Sequence, residues 1–285
     1  MTLKDVVGLE DVKRQIELRI LAPYKNPEIY KAFQRDGGGG LLLYGPPGCG
    51  KTFVARATAG ELGARFLAVG IHDILDKFWG ESEKAIHALF EHAREKSPTV
   101  LFFDEFDALG ASRARGDSSF YKALVDQLLQ EMDGVGRKNR DVLLFAATNA
   151  PWGVDAAFRR PGRFDHVLFV PPPDEAARRE LLKRHSEKLP GAEGLELEPF
   201  VKKTELLTGA DLRALCERAA ERALERSLKS GKVEPVTPAD FQAAAATVKS
   251  SALEWLASAK NHARYANVAG QYDELETYLK KIKRW

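Results

Sequence analysis

The sequence predicts an α/β protein built around a parallel sheet and followed by a small all-helical domain. Short apolar runs alternate with helical periodicities from about Leu41 to Val170, and no strand-like run follows them. Continuous apolar strands suit a parallel sheet whose two faces are both covered by helices. The runs that predict strands are 41–44, 66–69, 100–103, 142–146 and 167–170.

The helices between these strands are predicted from residue spacing. Apolar side chains recur three and four positions apart in two stretches, which indicates one buried helical face in each. They are Ala85, Ile86, Leu89, Phe90 and Ala93 in the first stretch, and Tyr121, Leu124, Val125, Leu128, Leu129 and Met132 in the second.

The triple proline at 171–173 marks a boundary, because proline continues neither a helix nor a central strand. Beyond it, helical patterns begin near Asp174, Thr208 and Thr237. Two more amphipathic helices form a carboxyl-terminal tail, and the sequence leaves open whether they pack on this chain or on a partner. The expected units are a large α/β domain over 1–171, a small helical domain over 172–250 and a helical tail over 251–285.

Composition excludes several classes of protein. The 285 residues are 44% hydrophobic and 29% charged, which is typical of a globular protein and not of a disordered or fibrous one. A net charge of only +2 disfavours a nucleic-acid-binding domain. Two cysteines, Cys49 and Cys216, cannot form a disulfide framework, and no apolar run reaches the ~18 residues of a membrane span. With no signal-peptide pattern either, we expect a cytoplasmic protein.

A glycine-rich loop between the first predicted strand and a helix carries the strongest chemical signal. Gly45-Pro46-Pro47-Gly48-Cys49-Gly50-Lys51-Thr52 fits the phosphate-loop pattern G-x-x-x-x-G-K-[ST]. The glycines let backbone N–H groups point at phosphates, Lys51 brings a positive charge to them, and the Thr52 hydroxyl can ligate Mg²⁺. We therefore predict a site for ATP or ADP with Mg²⁺. We interpret Cys49 as a small residue that fits the loop, with a redox-active thiol as the alternative.

Two carboxylates follow the buried run Val100–Phe103. Hydrolysis needs one carboxylate to hold the magnesium shell and another to orient and polarise a water molecule. Because adjacent residues at a strand end point in different directions, Asp104 can face Mg²⁺ while Glu105 faces the γ-phosphate. Asn149, at the end of a later strand, can hold the attacking water opposite Glu105. A turn-forming role before Ala150-Pro151 explains Asn149 nearly as well.

With these motifs in register, the chain resembles the AAA ATPases, specifically the group that contains the Cdc48-type (valosin-containing) unfoldases and the katanin/spastin-type remodellers. The match runs from about Asp5 to Lys249. It implies a phosphate-loop NTPase fold, with a five-stranded α/β domain and a helical lid. The acidic pair, the loop lysine and Asn149 then take the family's catalytic and first-sensor positions.

The resemblance also implies which residues surround the base and the ribose. Asp5–Leu9 is similar to the family's adenine-contacting segment, and Thr208–Leu212 to its segment beside the ribose and adenine. His185 falls at the position of a nucleotide-contacting histidine, for which a partly exposed helix residue is the alternative. The nucleotide-binding residues implied are Val7, Gly8, Pro47, Gly48, Cys49, Gly50, Lys51, Thr52, Phe53, His185, Gly209 and Ala210, with Thr52 and Asp104 as magnesium ligands.

An arginine-rich segment, Arg159–Asp165, is similar to the family's second region of homology, where two arginines reach into the neighbouring subunit. By position these are Arg160 and Arg163. An arginine finger supplied in trans is worth about 10³ to 10⁵ in rate. Hydrolysis would then depend on assembly into a homo-oligomer, most naturally a hexameric ring. Solvated loop arginines are the alternative.

Two large aromatic residues interrupt a polar stretch at Asp76–Glu83. Exposing both would be costly, since each could bury ~150–250 Å². On the residues alone, Phe78 and Trp79 would anchor the loop to the core. The resemblance instead implies the family's first pore loop, in which these rings grip an extended polypeptide in a central channel. Ala111–Ser119 would form a second pore loop, with a mobile surface loop as the alternative.

The function implied is that of an ATPase that remodels proteins by threading polypeptide through the pore of a ring. A nucleic-acid motor or loader is the alternative from another class, disfavoured by the near-neutral charge and by aromatic residues in the loop where a basic stripe would be needed. A nucleotide-binding scaffold without turnover is disfavoured because both Asp104 and Glu105 are present. Met132-Asp133-Gly134 lies where the family signals between subunits, and no motif identifies the protein substrate.

Overall fold

A five-stranded, all-parallel sheet forms the centre of the computed structural model, which describes residues 1–34, 40–75, 81–110, 118–133, 141–267 and 270–285. The strands are β1 (Leu41–Tyr44), β2 (Arg65–Gly70), β3 (Thr99–Asp104), β4 (Val142–Thr148) and β5 (His166–Phe169). They pair in the order β2-β3-β4-β1-β5, so the chain crosses over the sheet between neighbouring strands.

Several predicted features lie outside the described residues. These are Phe78 and Trp79 of the first pore loop, residues 111–117 of the second pore loop and Gly134 of the predicted signalling segment. Their roles stay predictions from the sequence.

All five strands form where the sequence predicts them, but β2 is less buried than predicted. All residues of β1 and β4 are buried, as expected for strands that have neighbours on both sides and helices on both faces. The prediction of a buried strand over 66–69 is wrong about burial, because the side chains of β2 are half-buried or exposed. β2 is an edge strand with a neighbour on one side only, so an apolar run there need not be fully covered.

Helices cover both faces of the sheet. On one face, Phe90 and Leu124 share a core with Phe103 of β3. On the other face, Val54 shares a core with Ile16 near the amino terminus. The helices of this region are α1 (Glu10–Ile16), α2 (Ala22–Lys25), α3 (Pro27–Ala32), α4 (Lys51–Glu61), α5 (Ile71–Leu75), α6 (Glu81–Glu95) and α7 (Ser118–Asp133).

A helical unit with its own core follows the triple proline. Leu182, Leu212 and Phe241 belong to a hydrophobic cluster separate from those of the sheet. Its helices are α8 (Glu175–Ser186), α9 (Glu198–Lys203), α10 (Gly209–Ser230) and α11 (Pro238–Thr247). The sequence does not predict α9, because six residues are too few to show a helical period. The fold class, a phosphate-loop α/β sandwich followed by a helical lid, is confirmed.

Capping side chains set where the lid helices begin. The Asp174 carboxylate accepts a hydrogen bond from the Ala177 N–H at 2.8 Å. At the start of α10, the Thr208 hydroxyl accepts from the Asp211 N–H at 3.2 Å, and the Asp211 carboxylate accepts from the Thr208 N–H at 2.9 Å. These caps satisfy N–H groups that have no partner within the helix, so the predicted starts near Asp174 and Thr208 are confirmed.

The carboxyl-terminal tail packs on its own chain, which answers the question that the sequence left open. Its helices, α12 (Ala252–Tyr265) and α13 (Asp273–Lys281), share a core with Tyr44 of β1 and Phe169 of β5. The Glu274 carboxylate also accepts a hydrogen bond from the Phe169 N–H at 3.1 Å, on the edge strand. The boundaries at 171 and 250 stay predictions. In the described ranges, no helix is long and apolar enough to cross a membrane.

Candidate nucleotide-binding site

The loop after β1 is shaped by backbone conformations that glycine adopts readily. Gly48 and Gly50 have φ values of 74° and 90°, in the left-handed region. A Cβ atom on Gly48 would come within 2.7 Å of the Ala210 Cβ, so a side chain there would separate the loop from α10. The Gly48 carbonyl also accepts a hydrogen bond from the Ala210 N–H at 3.2 Å. The loop and the start of α10 are therefore in direct contact.

The loop borders a cavity of about 530 Å³ at the edge of the sheet where β3 and β4 end. Parallel strands present their carboxyl ends on one side, and ligands of α/β proteins bind in the crevice outside those ends. The cavity thus gathers residues from the loop, from the end of β3 and from the end of β4. Its lining residues are Met1, Pro47, Gly48, Gly50, Lys51, Thr52, Phe53, Arg56, Asp104, Glu105 and Asn149.

Lys51 begins α4, and its side chain is buried. The ammonium donates to the carbonyl oxygens of Gly45 and Pro46 at 2.8 and 2.9 Å, and to Oδ1 of Asn149 at 2.7 Å. These bonds use the three donors of the ammonium and hold it against the loop. Burial lowers the pKa of Lys51 to about 8, against the opposing effect of nearby acidic groups. A bound phosphate would raise that pKa and favour the charged form.

Thr52 and Asp104 meet at one side of the cavity, where the Thr52 hydroxyl donates to Oδ2 of Asp104 at 3.0 Å. Hydroxyl and carboxylate oxygens are suitable ligands for Mg²⁺, which usually takes one or two protein ligands and completes its shell with phosphate oxygens and water. The pair therefore fits the predicted metal site, and it would place the charge of the ion beside the phosphates. No cluster of three or more acidic, histidine or cysteine side chains that could hold a metal by itself occurs in the described ranges.

Glu105 has a φ of 52°, in a region that residues other than glycine rarely adopt. Asp104 and Glu105 consequently face different partners. Oδ1 of Asp104 accepts from the Glu105 N–H at 2.9 Å, whereas the Glu105 carboxylate lies 3.2 Å from Nε2 of His72. A backbone conformation of this kind recurs at functional sites, where the surrounding structure imposes it. His72 has no predicted role, since nothing in the sequence marks a single histidine on a short helix.

Asn149 is held on its backbone side by Asp107, another residue without a predicted role. Oδ1 of Asp107 accepts from the Thr148 hydroxyl at 2.7 Å and from the Asn149 N–H at 3.2 Å. Asp107 thus links the segment after β3 to the end of β4. The one available signal in the sequence is an acid two residues after Glu105. A turn-forming Asn149 would direct its side-chain oxygen to nearby backbone, but that oxygen accepts from Lys51.

The residues predicted to surround the base and the ribose are not among the described lining residues of this cavity. Gly209 and Ala210 begin α10 and touch the phosphate loop. Gly8 packs against α8, where an added Cβ would come within 2.6 Å of the Ala177 Cβ. His185 is half-buried on the same helix, and burial lowers the pKa of its imidazole. The nucleotide contacts implied by the resemblance therefore stay predictions; they are Val7, Gly8, His185, Gly209 and Ala210.

The two predicted finger arginines are held differently by their own chain. Arg163 forms a double hydrogen bond with Asp133, at 2.7 and 2.9 Å, and donates to the Ala157 carbonyl at 2.7 Å. The hydrogen bond from Arg163 lowers the pKa of the Asp133 carboxyl. Arg160 is exposed, and its guanidinium has no hydrogen bond or ion pair within the described part of the chain. Arg160 is therefore accessible to a second molecule as the chain stands.

The parallel sheet, the curled loop that leads into α4 and the acidic end of β3 together define a phosphate-loop nucleotide-binding protein with a helical lid. Residues 41–172 match the family model described as "ATPase family associated with various cellular activities (AAA)", and residues 194–243 match the "AAA+ lid domain". The chain belongs to the AAA ATPase family, as its motifs predict.

Curated relatives from archaea and a plant match most of the chain. Protein SAV of Sulfolobus acidocaldarius is 46% identical over 79% of this chain and 29% of its own length. The cell division cycle protein 48 homolog of Archaeoglobus fulgidus is 36% identical over 95% of this chain and 38% of its own. The cell division control protein 48 homolog C of Arabidopsis thaliana is 40% identical over 97% of this chain and 33% of its own. The chain thus spans about a third of the length of these relatives.

Cys49 should resist alkylation in the folded protein, because burial raises the pKa of its thiol to about 12 and leaves little reactive thiolate. At pH 8 we expect iodoacetamide to label Cys49 about 10³ times more slowly in native protein than in urea. Peptide mass spectrometry measures the extent of labelling. Cys216 is buried as well and provides the matched control. Rapid labelling of Cys49 alone would contradict the interpretation of a well-packed loop residue.

Proposed function

We propose that the chain is the motor domain of a ring-forming ATPase that remodels proteins, and that it hydrolyses ATP in the cavity beside the phosphate loop. The observation that carries the proposal is the convergence of Lys51, Thr52, Asp104, Glu105 and Asn149 on that one cavity. A cation, a hydroxyl, two carboxylates and an amide supply what phosphoryl transfer to water needs: charge compensation, a metal site, a proton acceptor and a group that orients water.

In the proposed mechanism, the phosphates of ATP bind along the loop, where backbone N–H groups and the start of α4 favour anionic oxygens. Lys51 would exchange its contacts with the Gly45 and Pro46 carbonyls for phosphate oxygens. Because Oδ1 of Asn149 accepts from Lys51, the NH₂ group of this amide is left to donate to the γ-phosphate or the attacking water.

The oxygen of that water would attack the γ-phosphorus while Glu105 accepts one of its protons. The bond between the γ-phosphorus and the β–γ bridging oxygen breaks in the same step. The Glu105 carboxylate is more than half exposed on the rim of the cavity, so it can reach a water molecule without leaving the site. ADP and inorganic phosphate are the products. Mg²⁺ held by Thr52 and Asp104 would offset the charge that develops on the phosphate oxygens.

Hydrolysis is proposed to depend on a neighbouring copy of the chain in a homo-oligomer, a hexameric ring built from head-to-tail contacts. Of the described lining residues, those with cationic side chains are Lys51 and Arg56, and neither belongs to the arginine-rich segment. A neighbour arranged head-to-tail would bring Arg160 to this cavity, and Arg163 as well if its pair with Asp133 opens.

A protein substrate is the best-supported cargo. The family membership and the Cdc48 homologues among the relatives favour remodelling of proteins over action on nucleic acid. The net charge of +2 favours the same conclusion. Phe78 and Trp79 would grip the polypeptide in a central pore, and the cytoplasm is the proposed location. A nucleic-acid motor or loader is the second candidate, and stimulation of the ATPase activity by DNA or by unfolded protein distinguishes the two.

Glu105→Gln should bind ATP with nearly unchanged affinity and hydrolyse it at least about 10²-fold more slowly, because an amide cannot accept the proton. Nucleotide binding at equilibrium and phosphate release measure the two properties. Glu95→Gln, the same change at an exposed position on α6, should behave as wild type. Unchanged turnover of Glu105→Gln would remove Glu105 from the base role.

Two inactive variants should rescue each other if the finger acts in trans. Arg160→Ala keeps Glu105, and Glu105→Gln keeps Arg160, so a mixed ring regains complete sites at the boundary between the two kinds of subunit. With random mixing in equal amounts, about a quarter of the sites would be complete. Phosphate release by the mixture tests this, with Arg163→Ala assayed in parallel. A mixture no faster than its two components would contradict a finger from the neighbour.

Phe78→Ala should retain most of the ATPase activity while losing the ability to unfold a tagged fluorescent protein, because the aromatic grip is lost and the nucleotide cavity is unchanged. Phe33→Ala, at a phenylalanine that is 77% exposed outside the predicted pore, is the matched control. Persistent unfolding would rule out the pore assignment. ATPase activity stimulated by DNA but not by unfolded protein would favour the nucleic-acid alternative.

A further inference from the structure

The tail contacts the candidate site through one hydrogen bond. The indole N–H of Trp255, on α12, donates to the main-chain carbonyl of Asn149. Trp255 is 9% exposed, and a buried indole N–H needs an acceptor. Asn149 follows the last residue of β4, so its carbonyl lies beyond the end of that strand. The bond therefore satisfies a donor from the tail and an acceptor at the site.

With this bond, Asn149 is held at three places. Its side-chain oxygen accepts from Lys51 at 2.7 Å, and its N–H donates to Asp107 at 3.2 Å. The third contact, from Trp255 to the carbonyl, comes from an element outside the α/β sandwich. Because the N–H and the carbonyl are both held, the backbone of Asn149 is fixed on either side of its Cα. The direction of its side-chain amide follows from that backbone conformation.

The surroundings of Trp255 hold the indole in place. Its ring stacks on Phe169 of β5, with 6.0 Å between ring centroids and an interplanar angle of 12°. The ring centroid of Trp152 lies 6.0 Å from that of Trp255, and Trp152 itself stacks on His262 of α12 with 4.1 Å between centroids. Aromatic pairs prefer offset geometries and stabilise a structure beyond the area that they bury. The indole N–H therefore stays directed at Asn149.

The start of α12 is tied to the lid. Ser251, immediately before α12, donates through its N–H and its hydroxyl to Oδ2 of Asp211, at 3.0 and 3.1 Å. Asp211 completes the capping box of α10, whose first turn touches the phosphate loop. Trp255 lies one helical turn after Ser251. A displacement of α10 would therefore shift Ser251 and, with it, the indole of Trp255.

We propose that Trp255 is a positioning residue, which orients Asn149 for hydrolysis and makes turnover depend on the placement of the tail and the lid. The inference rests on the proposed function, because Trp255 acts through Asn149. Trp255 is not among the described residues that line the cavity. Loss of its hydrogen bond should therefore change the rate of hydrolysis and leave nucleotide affinity nearly unchanged.

Trp255→Phe keeps an aromatic ring in the cluster and removes the N–H. We expect kcat to fall about three- to tenfold, as loss of one oriented hydrogen bond would produce, with Kd for ATP and KM within about twofold of wild type. Trp152→Phe makes the same chemical change in the same cluster, at an indole without a hydrogen bond in the described part of the chain. Its kcat should remain within about twofold of wild type.

The double variant Trp255→Phe/Asn149→Ala tests whether Trp255 affects the rate of hydrolysis through Asn149. If Trp255 acts through Asn149, adding Trp255→Phe to Asn149→Ala should slow turnover no further. Additive slowing would overturn the inference, and so would equal rates for Trp255→Phe and Trp152→Phe. If Asn149→Ala alone turned over at the wild-type rate, Asn149 would have no sensor role and the inference about Trp255 would be wrong. Slow turnover of Glu105→Gln would still support hydrolysis in this cavity.

Amide hydrogen exchange gives a readout that does not depend on turnover. In nucleotide-free protein, peptides that end at Ala150 should exchange faster in Trp255→Phe than in wild type, because the bond between the Asn149 N–H and Asp107 loses its support. Exchange in these peptides should be unchanged in Trp152→Phe. Equal exchange in Trp255→Phe and wild type would show that the indole does not position Asn149.

Discussion

The arrangement of the site depends on the hydrogen bonds of the buried Lys51 ammonium. A buried charge is costly unless hydrogen bonds compensate for the lost water, and three acceptors do so here. Two of them are loop carbonyls, and the third is the side chain of Asn149. The loop must therefore curl, α4 must begin at Lys51, and β4 must end beside the loop. Bound phosphate can take over part of this role, which suits the site to an anionic ligand.

The parallel sheet brings together the groups that the chemistry needs. Asp104 and Asn149 are far apart in sequence, but β3 and β4 are neighbours and both end at the same edge. The unusual backbone conformation of Glu105 then separates the two adjacent carboxylates, one toward Thr52 and the other toward His72. Adjacent residues at one edge of the sheet would thus provide the proposed metal site and the proposed proton acceptor.

The lid and the tail extend this arrangement beyond the sheet. Ala210 at the start of α10 bonds to the phosphate loop, and Asp211 beside it bonds to Ser251 at the start of the tail. One turn later, Trp255 bonds to Asn149. The loop, the lid, the tail and the end of β4 therefore form a closed circuit of contacts around the cavity. Contiguous hydrogen bonds of this kind are one physical means by which coupling between sites is carried.

The sequence by itself determined the five strands, the phosphate loop, the acidic pair and the starts of the main lid helices, because each is a local pattern of apolar spacing, glycine or capping residues. It missed α9 and the partial exposure of β2, which depend on helix length and on a strand's place in the sheet. Only the tertiary structure decided that Asp107 and Trp255 hold Asn149. These partners are distant in sequence, and no local pattern encodes a hydrogen bond that forms only after packing brings its two ends together.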